Sequence, residues 1–343
     1  MIKNNNYDTK KEVKSKEIEI KSIVEELTKE YGEGVITTLE GSKLKNYPTL
    51  STGSFILDQA IGGGYVFGRI IEIYGLEASG KTTLALHAVN ECQKIGKKVA
   101  YIDVENSLDV KYAKNLGIKT NDLLLIHPDY GEQALDLTVN LIKKGINLII
   151  VDSVAALVPK AELEGDLERQ SIGSQARMMS NGLKKINSEL TNKEAIIIFI
   201  NQVRNKVSTS FFAGNPETTP GGVALSFFAS LRIRLKEKKK IEKDGQFIGI
   251  ETQVKVKKNK LSSPYKEPIL EIIFLQGIKR EREIVDIASE LNIIQKSGNW
   301  YSYGEKKLGN GKENVTDYLT ENPNLYEEIE KKIIEKARIK NLN

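Results

Sequence analysis

The sequence predicts an α/β fold: a core built on a mostly parallel sheet, preceded by an N-terminal helix and followed by a small C-terminal α/β domain. Three observations carry this. From residue 69, short apolar runs of strand length alternate with stretches of helix length, the pattern of a parallel sheet covered on both faces. A glycine-rich segment, Gly75–Thr82 (GLEASGKT), stands between the first such run and the first such helix. After residue 223 strand-like runs dominate, and residues 279–343 return to a mixed pattern.

The elements follow in order. Residues 1–10 are polar and expected to be disordered. Residues 11–31 are predicted helical, because Ile20, Ile23, Val24, Leu27 and Tyr31 share one face and Gly32 is a natural stop. That stripe needs cover, either from its own domain or from a neighbouring subunit. Arg69–Tyr74 (RIIEIY) is a strand and Thr82–Gln93 a helix ended by Gly96. Lys98–Val104 (strand), Asp109–Leu116 (helix), Leu123–Ile126 (strand), Glu132–Lys143 (helix) and Leu148–Val151 (strand) continue the alternation. A helix over 171–190 and a strand over 195–200 close it. Strands are then expected over Ser226–Leu235, Glu251–Val256 and Ile269–Phe274, and a last helix from Leu325 to Ala337 after Pro323. The lysine-rich run 236–243 (KEKKKIEK) reads as a solvated charge cluster. Expected domain limits are 1–42, 43–278 and 279–343.

Composition narrows the function. Of 343 residues, 40% are hydrophobic and 28% charged, which excludes a disordered chain or a fibre. A net charge of +5 is too small to indicate nucleic acid by itself, so any basic surface is local. The single Cys92 excludes an intramolecular disulfide framework and fits a reducing compartment. With only His87 and His127 beside it, a Cys/His zinc site is not expected. No signal-peptide core and no membrane-spanning run is present, so the expected location is cytoplasmic.

Gly75–Thr82 matches G-x-x-x-x-G-K-[ST] in full, directly after a strand and directly before a helix. Gly75 and Gly80 let the backbone turn its N–H groups toward phosphate oxygens, and the helix N-terminus adds positive potential. Lys81 can reach the outer phosphates of a nucleoside triphosphate, and the Thr82 hydroxyl can ligate Mg²⁺. Partner carboxylates belong at the carboxyl ends of neighbouring strands. Asp152 ends LIIVD and is the candidate metal carboxylate. Glu105 follows the next such strand and is either a general base or a capping carboxylate. Asn201-Gln202 ends AIIIFI, where Gln202 is either a phosphate sensor or a turn residue.

Two loops are candidates for nucleic acid. Residues 203–222 combine Arg204 and Lys206 with Phe211 and Phe212, a pairing of charge and aromatic wedges suited to single strands, although a phosphate lid would look similar. Residues 162–173 lead to Arg177 and contain Arg169. Lys255–Lys260 (KVKKNK) is basic and reads first as a charged strand edge.

The order and wording of these segments resemble the bacterial recombinase family RecA. The matching phrases include STGS (Ser51–Ser54), GRIIEIYG (Gly68–Gly75), EASGKTTL (Glu77–Leu84), YIDVE (Tyr101–Glu105) and PDYGEQAL (Pro128–Leu135). They continue with VDSVAALVPKAELEG (Val151–Gly165), FINQVR (Phe199–Arg204), GNPETTPGG (Gly214–Gly222) and NWYSYGEKKLGNGKENV (Asn299–Val315), covering roughly residues 15–337. The resemblance implies a P-loop NTPase core of RecA-like fold, an ATP- and Mg²⁺-dependent filament on single-stranded DNA, and pairing with double-stranded DNA in recombination, repair and the SOS response. It also implies stimulated self-cleavage of a LexA-type repressor. By position, Gly75, Leu76, Glu77, Ala78, Ser79, Gly80, Lys81, Thr82 and Thr83 would hold phosphate, with Thr82 and Asp152 on the metal. Glu105 would be the catalytic base and Gln202 the γ-phosphate sensor. Asp109 and Tyr112 would meet adenine. Lys258 and Lys260 would reach ATP from the neighbouring subunit, overturning the strand-edge reading. Arg169, Gly173, Arg177, Arg204, Lys206, Phe211, Phe212, Asn215, Gly221 and Gly222 would contact DNA. The N-terminal helix would dock on the adjacent subunit, and Phe227 would lie at that interface. Departures are a longer 203–222 loop, Ser226 where a lysine is usual, Leu275 where glycine is usual, and an ending (ARIKNLN) without the acidic tail of many members, which predicts weaker autoinhibition of duplex entry. The alternatives are an ATP-switched filament adaptor and a hexameric helicase on the same core.

Overall fold

The structure, a computed structural model, describes residues 5–32, 35–36, 38, 48–165, 173–191, 193–205 and 217–342. It divides into two compact units, Met1–Pro48 and Thr49–Asn343. The first is dominated by α1 (Asn5–Tyr31). The helix starts earlier than the apolar stripe indicates. Residues 5–10 carry no stripe, but the lysines and glutamates that follow propagate a helix without one. Gly32, at φ +94°, closes α1 by donating its N–H to the Thr28 carbonyl. Ile18, Ile20, Ile23 and Tyr31 are exposed.

The second unit runs β1 (Thr49–Leu50), α2 (Phe55–Ile61), β2 (Tyr65–Val66), β3 (Arg69–Gly75), α3 (Lys81–Lys94), β4 (Val99–Asp103) and α4 (Val110–Asn115). It continues through β5 (Leu123–Ile126), α5 (Gly131–Lys143), β6 (Leu148–Asp152), α6 (Lys160–Leu163), α7 (Ser174–Leu190) and β7 (Ile196–Gln202). Then come β8 (Arg204–Asn205), β9 (Glu217–Thr218), α8 (Ala224–Phe228), β10 (Leu231–Lys243), β11 (Gln246–Asn259) and β12 (Ile269–Ile273). The chain ends in α9 (Arg280–Glu290), β13 (Gln295–Ser297), β14 (Trp300–Tyr303), β15 (Lys306–Asn310), α10 (Lys312–Glu321) and α11 (Pro323–Leu342).

Eight strands form one sheet in the order β12-β11-β10-β3-β7-β6-β4-β5. All run parallel except β11, which is antiparallel to both its neighbours. The central strands are apolar but for a few buried polar residues such as Glu72 and Asn201, because both faces are covered. Ile71, Ile73, Ile198 and Ile150 pack on one side with α3, and Ile70, Ile197, Phe199 and Ile149 on the other with α7. The expected α/β core with a mostly parallel sheet is therefore present, as is the small C-terminal unit, a three-stranded sheet with helices around its own core.

Two local expectations change. Residues 224–228 form a short helix instead of the start of a strand, because Leu225 and Phe228 turn into the α7-side core. The lysine-rich run is strand, not loose surface: it is the outer half of β10, laddered to β11 past the end of β3. Asp244 and Gly245, both at positive φ, make the hairpin turn.

The C-terminal core is tied to the sheet domain through Phe55, which buries among Ile284, Val285 and Ile333. Arg280 binds Asp58 at 2.8 Å and Glu330 at 2.7 Å. Glu283 is buried and accepts from the Ser54 hydroxyl at 2.8 Å and the Ile56 amide at 3.2 Å. Burial pushes its carboxyl from 4.5 up to about 7, against the pull of these donors and Arg280. The folded state thus holds this proton more tightly than the unfolded chain. The associated stability is complete below about pH 4.5 and lost as pH rises to about 7. Glu283→Gln should therefore gain on the parent across that window, by on the order of 1–3 kcal/mol in chemical denaturation. A pH-independent difference between the two would refute the shifted titration.

Candidate functional site: a phosphate loop at the strand ends

The parallel register sets the site. Gly75 closes β3 directly opposite Gln202, the last residue of β7, and Asp152, the last residue of β6, pairs with Asp103, the last of β4. Four strand ends therefore deliver their following residues to one edge. From β3 the chain turns through Ala78 at φ +55° and Gly80 at φ +90° before α3 begins. Gly80 caps α3 without a side-chain acceptor, so the first amides of the helix keep their donors for a ligand. A Cβ on Gly75 would lie 2.3 Å from the Leu235 carbonyl oxygen, so only glycine fits between β3 and β10.

Inside the loop Lys81 Nζ donates to the Leu76 carbonyl at 2.6 Å, and Ser79 Oγ donates to the same oxygen at 2.7 Å. Burial lowers the Lys81 pKa, while Asp152, Glu105 and Glu77 oppose that. Thr82 Oγ1 donates to Asp152 Oδ2 at 3.0 Å, and the buried Tyr101 hydroxyl donates to the same oxygen at 2.7 Å. Burial raises the Asp152 pKa, with Glu105 and Asp103 adding to it and the two donors counteracting it. A hydroxyl and a carboxylate side by side next to a lysine-bearing loop are the donor set for a hard divalent cation with phosphate.

Glu105 lies beside this pair. Its Oε1 accepts a hydrogen bond from Gln202 Nε2 at 3.2 Å and a short one from Ser153 Oγ. The loop that carries it is held by Asp103, whose carboxylate accepts the amides of Ser107 at 3.2 Å and Leu108 at 3.0 Å. Further along, Asp109 caps α4 by accepting the amides of Lys111 at 2.7 Å and Tyr112 at 3.2 Å. The Tyr112 hydroxyl meets Thr83 Oγ1 at 2.8 Å, which brings α4 against the start of α3. Gly75 through Thr83, Glu105, Tyr112, Asp152 and Gln202 are thus one site, with Asp109 on the same turn as Tyr112.

Lys258 and Lys260 are not part of it. Asn259 pairs with Leu231, which pairs with Ile71, whereas the loop leaves β3 at Gly75 opposite Leu235. Four strand residues, about 13 Å, separate the two levels. Lys258 lies level with Glu72, three residues below Gly75, and Lys260 follows Asn259 further from the loop. Lys258 Nζ donates to the carbonyls of Ser226 at 2.7 Å and Phe227 at 3.0 Å.

The expected DNA loops begin and end at the phosphate-loop edge. Gly173, at φ +81°, starts α7, and Arg177 is exposed in its first turn. Arg204 pairs with Thr218 in the β8–β9 ladder, closing the foot of the second loop. Gly221 and Gly222 have positive φ and pack against Val154 and Ala176. Arg169, Lys206, Phe211, Phe212 and Asn215 lie outside the described residues. Leu275, in the place of a usual glycine, keeps a left-handed φ of +62°.

Several residues here escaped the sequence reading. Gln175 Nε2 donates to the carbonyls of Val154 and Leu157, both at 3.0 Å, and its Oε1 accepts the Gly221 amide at 3.2 Å, so one side chain joins the feet of both loops. Ser153 and Tyr101 position Glu105 and Asp152. The tyrosine was findable, since a phenol within an apolar strand needs a buried partner. Among the described residues, no helix is long and apolar enough to cross a membrane.

Comparison with known proteins agrees with this geometry. The family model for the RecA N-terminal domain matches residues 18–279, and that for the RecA C-terminal domain matches residues 282–338. Protein RecA of Caldanaerobacter subterraneus subsp. tengcongensis is 48% identical over 314 residues, 91% of this chain and 91% of that protein. Protein RecA of Halalkalibacterium halodurans is 47% identical over 312 residues, 90% and 89% of the two chains. That of Macrococcus caseolyticus is 46% identical over 314 residues, 91% and 88%.

Gly75→Ala should lose about 1–3 kcal/mol of stability through the clash with the Leu235 carbonyl. Nucleotide affinity should fall with it, read by a fluorescent ATP analogue beside thermal denaturation. Unaltered melting would show that β10 yields freely there.

Proposed function

The chain belongs to the RecA family, whose members are DNA-dependent ATPases acting in recombination and repair, and we propose the residue-level mechanism by which it binds nucleotide and DNA and assembles. ATP lies with its phosphates over Gly75–Thr83 and its adenine beside Asp109 and Tyr112. Thr82 and Asp152 hold Mg²⁺, which when bound draws charge from the phosphate oxygens. Lys81 turns from the Leu76 carbonyl to the outer phosphates. Glu105 Oε1 is engaged by Ser153 and Gln202, so Oε2 accepts the proton of an attacking water. Gln202 exchanges Glu105 for the γ-phosphate, and because β8 follows one residue later, that exchange pulls on the DNA loop.

One observation carries the assembly: Lys258 and Lys260 sit at the end of β11, three or more strand residues down the sheet from the level at which the phosphate loop leaves β3. No single chain brings them to its own nucleotide, but stacked head to tail each copy offers them to the next. Exposed Phe227 and Val223 beside them, and the exposed stripe on α1, supply apolar area for such a seam. Arg169, Gly173, Arg177, Arg204, Lys206, Phe211, Phe212, Asn215, Gly221 and Gly222 hold single-stranded DNA. Residues 1–42, 43–278 and 279–343 act as assembly, motor and duplex-DNA domains. Support for the last is exposed Trp300 with Lys307 5.9 Å from its ring centre, and Lys306 5.4 Å from that of Tyr318. A LexA-type repressor is the regulatory partner and the cytoplasm the location.

Single-stranded DNA should stimulate ATP turnover by this chain, and a rate indifferent to DNA would favour an adaptor. Lys81→Ala and Lys258→Ala should each be inactive alone, yet mixing them with ATP and DNA should restore turnover at seams that unite the two intact halves. Two inactive proteins that stay inactive when mixed would refute the shared site.

A further inference from the structure

Glu72 takes no part in the chemistry above, yet it sits fully buried on β3, the strand that feeds the phosphate loop. Register puts it in one row with Arg232 on β10 and Lys258 on β11. Arg232 Nε donates to Glu72 Oε2 at 2.5 Å, and the guanidinium lies 4.9 Å from the Tyr74 ring centre. From the other side Asn201, on β7, donates through Nδ2 to Glu72 Oε1 at 3.1 Å. The same Nδ2 reaches the Pro220 carbonyl at 3.2 Å, at the far foot of the DNA loop. Asn201 Oδ1 accepts the backbone N–H of Gln202 at 2.9 Å.

A polar path therefore crosses the sheet from the loop foot and the phosphate sensor, through one carboxylate, to the lysine edge. We propose that Glu72 is a positioning residue that makes the DNA loop and the lysines offered to the next copy respond together. This rests on the function proposed above. The physical reason is that a buried carboxylate tolerates little change in its partners. When Gln202 moves toward phosphate, Asn201 moves with it and its bond to Glu72 or to Pro220 must change. Any loss on that side throws the carboxylate onto Arg232, the immediate cross-strand neighbour of Lys258. Arg232 and Glu72 already act on the Lys258 ammonium with opposite sign.

The test is the affinity of the full-length protein for an oligo(dT) strand, with and without a non-hydrolysable ATP analogue. The unmodified protein should bind more tightly with the analogue. In Glu72→Gln that gain should shrink roughly tenfold, while affinity without nucleotide and analogue binding without DNA stay within about twofold. Should this variant melt well below the parent, Glu72→Gln combined with Arg232→Gln removes both charges and is read in the same way. An unchanged gain overturns the proposal, and so does an equal loss of affinity in both nucleotide conditions, which marks a purely structural role. If the unmodified protein itself shows no gain, the functional reading falls and this proposal with it.

Discussion

Parallel hydrogen bonding between β3 and β7 places Gly75 level with Gln202, and the rest of the site depends on that rung. A slip of one residue would turn every side chain of β7 to the other face, removing Phe199 from one core and Ile198 from the other. Because both faces are buried, the register is heavily specified. The same rung then fixes where the phosphate loop starts, where the residue after Asn201 emerges, and how far the loop foot at Pro220 lies from β3. The precision of the catalytic edge is inherited from apolar packing some distance below it.

Much of this was legible in the chain. The alternating strands and helices, the loop GLEASGKT and the polar residues that end LIIVD and AIIIFI all sit where periodicity and motif spacing put them. Local signals that depend on one or two residues were harder. The Asp244-Gly245 pair announces a hairpin, but the lysines before it carry no alternation, so the strand does not show as a hydrophobic pattern. Residues 224–228 contain two phenylalanines in a strand-like context, and only the direction of the α7-side core makes them a helical turn. Residues 5–10 (NNYDTK) are mostly weak helix formers that continue the helix of the lysine- and glutamate-rich stretch after them, which a search for apolar periodicity passes over.

Charged and polar residues inside apolar strands were visible as letters but not as partners. Glu72 in RIIEIY, Tyr101 in VAYID and Asn201 after AIIIFI each break an apolar run, and each proves to be hydrogen-bonded across the sheet to a residue far away in sequence. Their pairing depends on strand order, which places β3 between β10 and β7, and strand order is not encoded in any local window. Such breaks mark where a nonlocal partner is owed, without naming it.

The lysine edge and the phosphate loop lie at different levels and on different strands of a single sheet, and this gives the assembly proposed from them a direction. A row of copies joined head to tail is heterologous, so its two termini differ. One terminus presents an uncovered nucleotide cradle and the other presents cations with nothing to neutralise, and the row holds one fewer complete seam than it has members. In the assembly proposed above, growth and loss at the two termini would then be different chemical events, and an isolated copy would be an idle one.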